Sequence, residues 1–102
     1  MTPAAFARLA LAFEGAVQGA HHGTTDFRVG GKIFATLWAA EELNVMLDEP
    51  GILTVVQAHP ELCREVWWGR RLAAAKVDLA RATPAFVGEL LADAYEHKSG
   101  RS

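Results

Sequence analysis

Thr25-Asp26-Phe27-Arg28-Val29-Gly30-Gly31-Lys32-Ile33-Phe34-Ala35-Thr36-Leu37-Trp38 is the stretch on which the fold turns. Thr25, Phe27 and Val29 alternate with Asp26 and Arg28, the period of a half-buried strand. Gly30-Gly31 follows, and paired glycines supply the positive φ angles of a two-residue hairpin turn. Lys32 to Trp38, rich in aromatic and β-branched residues, is the return strand. Strands joined this tightly must be antiparallel.

Outward from the hairpin, Ala39-Ala40-Glu41-Glu42 makes a connection, and Leu43, Val45 and Leu47 alternate as a third strand. Upstream, Thr2-Pro3 has the chemistry of an N-cap and first helical residue. Phe6, Leu9, Ala10, Phe13 and Val17 then recur at helical spacing, with Gly15 and Gly19 weakening the end, so this helix is expected to stop near Phe13 to Val17. His21-His22-Gly23 reads as a loop.

Downstream, Asp48-Glu49-Pro50 opens a second helix, which His59-Pro60 ends. Glu61 to Trp68 fits either a helical turn or a short strand; Gly69 permits a turn and Arg71 to Leu79 reads as the last strand. Thr83-Pro84 repeats the helix-start device, and Phe86, Val87, Leu90, Leu91, Ala94 and Tyr95 form one apolar stripe. His97 and Lys98 suit the C-terminal end of that helix, with Gly100 just beyond. The expected order is α-β-β-β-α-(β)-β-α. This is an α+β, two-layer sandwich in which an antiparallel sheet of four to five strands carries its helices on one face.

The 102 residues suit one domain, residues 1–102, and bury enough surface to fold without metal or disulfide staples. A hydrophobic fraction of 51% with 22% charged residues is the balance of a globular chain. A formal charge of -2 excludes a histone-like, wholly polybasic surface. The single Cys63 excludes an internal disulfide and a zinc site built on several thiolates. No apolar run approaches the ~20 residues of a membrane span, and Met1 to Arg8 lacks the basic start of a secretory signal. A cytoplasmic protein is expected, with no membrane partner. Abundant alanine, with Arg outnumbering Lys, points to a bacterial genome rich in G and C.

Catalytic and metal chemistry find little support. His21 and His22 are adjacent, so their rings converge poorly on one ion; they are kept as a weak ligand-loop candidate. His59 and Cys63 are four apart, but Pro60 opposes a continuous helix between them. Cys63, flanked by Leu62 and Val66, reads as a small buried hydrophobe sooner than as a nucleophile activated by Arg64. Glu41-Glu42 and Asp48-Glu49 are explained as solvated turns and helix caps. Gly30-Gly31-Lys32 is too short for a phosphate loop and leads into a strand. No catalytic residue, metal or cofactor is therefore assigned.

Glu61 to Arg81 stands out. Arg64, Arg70, Arg71, Lys76 and Arg81 oppose Glu61, Glu65 and Asp78, a local charge of +2 inside an acidic chain. Trp67 and Trp68 lie among these cations, where indoles can stack on bases while guanidinium groups hold phosphate. One tryptophan of such a pair is ordinarily expected to plug the core. Arg28 and Lys32 join the same surface if the sheet brings the two hairpin turns to one edge.

The string Phe27-Arg28-Val29-x-Gly31-Lys32-Ile33-Phe34-Ala35, preceded by His21-His22-Gly23, resembles the signature of the MmcQ/YjbR family. Leu43-x-Val45-x-Leu47, Lys76-Val77-Asp78-Leu79 and Leu90-Leu91-x-x-Ala94-Tyr95 extend the likeness along nearly the whole chain. Gln18-Gly19-Ala20 stands where members usually carry acidic residues, and Thr24-Thr25 where proline is common. The resemblance implies a small α+β domain shaped like the CyaY/frataxin fold and a "double-wing" mode of DNA binding through hairpins. It does not imply iron handling, because the first helix offers only Glu14 instead of an acidic ridge.

The expectation is thus a non-enzymatic binding module with weak DNA binding. Arg28, Lys32, Arg70, Arg71 and Lys76 would neutralise phosphate, and Trp67 or Trp68 would stack on bases. The alternatives are a homodimeric protein-interaction module using the uncovered sheet face, and a small-ligand domain using His21 and His22.

Overall fold

Each helix starts on a capped proline turn. The Thr2 hydroxyl accepts the Ala5 N–H at 3.1 Å, Asp48 Oδ1 that of Gly51 at 2.8 Å, and the Thr83 hydroxyl that of Phe86 at 3.2 Å. A proline follows each cap within two residues, in a first turn that needs no donor from it. The computed structural model describes residues 1–21, 23–39 and 41–100, with the backbone alone at His21 and Ala39.

The elements run α1 (Pro3–Leu11), β1 (Val17–His21), β2 (Thr24–Val29), β3 (Lys32–Ala39), β4 (Glu42–Val45), α2 (Glu49–Ala58), β5 (Cys63–Trp68), β6 (Arg71–Asp78) and α3 (Pro84–Ser99). The sheet is antiparallel throughout, in the order β1-β2-β3-β4-β6-β5. The α+β reading holds, but the sheet has six strands where four to five were expected.

Two strands account for the difference. Across Glu61 to Trp68, a turn over residues 60–62 gives way to strand β5 over Cys63–Trp68. Helix α1 ends at Leu11, short of the expected Phe13 to Val17, and a turn with Gly15 at φ +78° leads into β1. Gly19 in β1 lies opposite Asp26, and a Cβ there would come within 2.9 Å of Asp26 Oδ1. The glycine that seemed to weaken a helix instead lets an edge strand approach a buried carboxylate.

Cross-strand partners share a face, so the register sorts the sheet's two sides. Phe27, Ala35, Val45 and Ala75 form one row, all fully buried beneath the helices. Asp26, Thr36, Asn44 and Lys76 form the neighbouring row on the face without helices. The core joins Phe6 to Phe27 edge-on at 5.4 Å and stacks Phe13 on Tyr95 at 4.9 Å. The Tyr95 hydroxyl donates to the Glu14 carbonyl at 2.6 Å, fastening α3 to the chain just after α1.

Three irregularities interrupt the register, next to Phe27/Arg28, Leu37/Ala39 and Val66/Trp67. Such bulges bend strands, increase twist and re-aim side chains. They matter most on the open face.

Candidate nucleic-acid interface

The β2–β3 and β5–β6 hairpin tips fall at the same end of the sheet. β3, β4, β6 and β5 alternate in direction, so Lys32 at the start of β3 and Arg71 at the start of β6 stand at one edge, two strands apart. The condition for Arg28 and Lys32 to join the downstream basic segment is therefore met.

A groove of about 420 Å³ hollows the open face. Arg28, Lys32, Trp68 and Arg71 line it, together with Trp38, Thr36, Asn44 and Lys98. Its described lining contains no aspartate, glutamate, histidine or cysteine. In the helical layer, a cleft of about 770 Å³ between α2 and α3 is lined by Asp48, Glu89, Asp93 and Glu96, with His59 and His97, while Asp26, Glu42 and Asp78 share the open face with the groove but lie outside its described lining.

The cations differ in how far they are committed. Arg28 donates through Nε to Asp26 Oδ1 at 2.9 Å and through a terminal nitrogen to Oδ2 at 3.1 Å. That hydrogen-bonded ion pair raises the Arg28 pKa and ties its charge to a buried carboxylate. Lys76 lies 3.5 Å from Glu42 Oε2 in an exposed ion pair and stands outside the groove. Arg70 is exposed in the hairpin turn, outside the lining. Lys32, Arg71 and Lys98 remain as a convergent set. Partial burial first, then the charges of Arg71 and Lys32, hold the Lys98 ammonium below the ordinary lysine range.

The adjacent tryptophans of β5 diverge. Trp67 pairs with Leu72 of the core, so it lies on the helical side at the sheet edge, where its indole N–H donates to Glu65 Oε1 at 2.9 Å. Trp68 pairs with Arg71 on the open face, under the guanidinium, whose carbon lies 5.3 Å from the ring centroid. Neither indole plugs the core: their exposures are 53% and 52%.

Sequence reading did not select Trp38, Thr36, Asn44 or Lys98. Trp38 is the extra residue of the β3 irregularity, 61% exposed and turned into the groove. Thr36 and Asn44 are only 5% and 8% exposed, and Thr36 Oγ1 and Asn44 Oδ1 find no hydrogen-bond partner among the described residues. Lys98 belongs to the last turn of α3, where dipole compensation already accounts for a cation.

The remaining candidates lie elsewhere. His21 closes β1, and His22 lies outside the described residues. His59 caps α2, 3.7 Å from Glu61 and edge-on to Phe86 at 4.7 Å. Cys63 is buried, and burial, aided by Glu61, pushes its thiol up to about 11, away from nucleophilic use. No helix among the described residues is long and apolar enough to cross a membrane.

Among the described residues, six antiparallel strands, three helices on one side and a groove lined by cations on the other define an α+β domain with an open sheet face. The chain belongs to the YjbR family, whose model matches residues 11–97. The crystal structure of Deinococcus radiodurans protein DR2400, a DUF419 domain, is similar at a TM-score of 0.75 and 20% identity, over 93% of this chain and 78% of that one. This likeness shows the shared fold. No curated protein sequence matches the chain.

Proposed function

We propose that this protein is a non-enzymatic DNA-binding module of the bacterial cytoplasm that holds nucleic acid on its open sheet face. One observation carries the reading: Lys32, Arg71 and Lys98 converge on a groove whose described lining has no free acid, beside two exposed tryptophans. Three like charges gathered on a lining with no described acid repel one another, and a polyanion relieves that repulsion.

Three engaged phosphates make a modest binder. Counterion release predicts that affinity falls about 20- to 40-fold between 50 and 200 mM salt. Fluorescence anisotropy of labelled DNA at the two salts tests this directly. Arg71→Ala is expected to weaken binding and flatten the salt dependence by about one phosphate's worth, whereas Arg70→Ala, outside the groove, changes less. Binding that ignores salt, or that survives an Arg70→Ala, Arg71→Ala double substitution at full strength, would remove the basis of the proposal.

A further inference from the structure

Resting on that reading, we infer that the groove accepts single-stranded nucleic acid rather than duplex, laid across the sheet with unpaired bases turned onto Trp38, Trp68 and the floor between them. The two indoles stand at opposite ends of the groove. Trp38 lies near the level of Glu42 and Asp78, Trp68 at that of Arg71. About six residues separate them along the strands, roughly 20 Å at the ordinary rise per residue. That span suits a few extended nucleotides.

The floor separates the two ligand forms. Thr36 and Asn44 lie in one cross-strand row within the groove, each with a buried side-chain oxygen that lacks a partner among the described residues. Buried polar atoms without partners are costly, so such a pair in a ligand-sized groove marks a place where bound groups complete the hydrogen bonds. A hydroxyl and an amide reorient by side-chain rotation alone, and both can meet the edge of an unpaired base. A duplex keeps its bases stacked and paired. It would present phosphates to Lys32, Arg71 and Lys98 while leaving the indole faces and the floor unused.

The experiment compares a labelled single-stranded DNA dodecamer, the RNA of the same sequence, the DNA duplex and a free mononucleotide. The inference predicts at least tenfold tighter binding of a single strand than of the duplex. Stacking is lost in Trp38→Ala and Trp68→Ala, each expected to cost about 5- to 100-fold in single-strand affinity, with Trp→Phe recovering part. Trp67→Ala, on the other side of the sheet, leaves affinity unchanged. All three indoles are exposed, so circular dichroism should show each variant folded. Thr36→Val, which replaces the unpartnered hydroxyl with a methyl group, is expected to weaken single-strand binding and spare any duplex binding. Tight binding of both single strands supports the inference, and their ratio assigns the sugar. Duplex binding as tight as single-strand binding and indifferent to Trp38 and Trp68 overturns it while leaving the DNA-binding reading standing. Binding of the mononucleotide alone overturns it in favour of a small-ligand site. Absence of binding to any probe overturns both readings.

Discussion

The Arg71 guanidinium lies 5.3 Å from the centroid of the Trp68 ring, across the turn that joins β5 to β6. The contact couples charge to stacking, because the arginine that faces phosphate also holds the indole in place. Arg71→Ala should therefore weaken nucleic-acid binding more than Arg71→Lys, which keeps the charge but loses the planar contact. Both variants should stay within about 1 kcal/mol of wild-type stability, since an exposed cation–π pair contributes no more than that. Anisotropy and thermal denaturation of the three proteins check this; equal binding by the alanine and lysine variants would remove the charge at position 71 from the account, and a lysine variant as tight as wild type would separate the indole contact from the site.

Lys98 is expected to trade stability for binding. Its lowered pKa means that the folded protein disfavours the charged form, so the unfolded chain holds more protons between that lowered value and the ordinary lysine range. Stability from this group thus rises as pH rises through that window. Lys98→Gln should therefore raise the melting temperature near neutral pH while weakening nucleic-acid binding. A variant that loses stability and keeps affinity would contradict the account.

Much of the fold is legible in the sequence because local rules agree there with tertiary demand. Thr2-Pro3, Asp48-Glu49-Pro50 and Thr83-Pro84 announce helices that form where expected, and Gly30-Gly31 turns the central hairpin at φ +58° and +80°. β1 is hidden because Val17-Gln18-Gly19-Ala20-His21 has no apolar alternation; as an edge strand it leaves Val17 exposed and uses Gly19 for clearance. The site is half legible. Arg28, Lys32, Arg71 and Trp68 stand out by chemistry and do line the groove, whereas Trp67 must point away once β5 is a strand. Trp38 and Lys98 escape notice because a bulge re-aims the first and a helix end explains the second. Both effects depend on backbone geometry that residue spacing does not encode.

Gly19→Ala should act through Asp26. The added methyl lies 2.9 Å from a carboxylate oxygen already pinned by Arg28, so either the carboxylate shifts or β1 lifts away. A loss of about 1–3 kcal/mol is expected in urea or thermal unfolding. A neutral substitution would mean that β1 is not held against β2 at this point.

Tyr95→Phe should cost about 1 kcal/mol, roughly 4–8 °C in melting temperature, by removing the 2.6 Å hydrogen bond to the Glu14 carbonyl while keeping the ring stack on Phe13. Tyr95→Ala should cost several-fold more, because it also empties the aromatic cluster. Equal effects from the two substitutions would assign the whole contribution to the hydroxyl.

Cys63 should be inert in the folded protein. With its thiol pushed up to about 11, only about one molecule in ten thousand carries a thiolate at pH 7. Labelling by a thiol reagent should be at least 100-fold slower than in denaturant. The folded state keeps a proton that the unfolded state releases between the ordinary thiol value and 11, so stability falls as pH rises through this window. Cys63→Ala should flatten that slope. Rapid labelling without unfolding would show the thiol to be accessible.

Nitrogen-15 correlation spectra of the three indole N–H groups, recorded while single-stranded DNA is added at low salt, address the open face most directly. Trp38 and Trp68 line the groove and Trp67 lies on the other side of the sheet, so one spectrum contains both the test and its control. The account predicts that the Trp38 and Trp68 signals move and saturate together while that of Trp67 stays in place. Movement of Trp67 alone, or no movement of any indole at DNA concentrations that saturate the anisotropy signal, would contradict it.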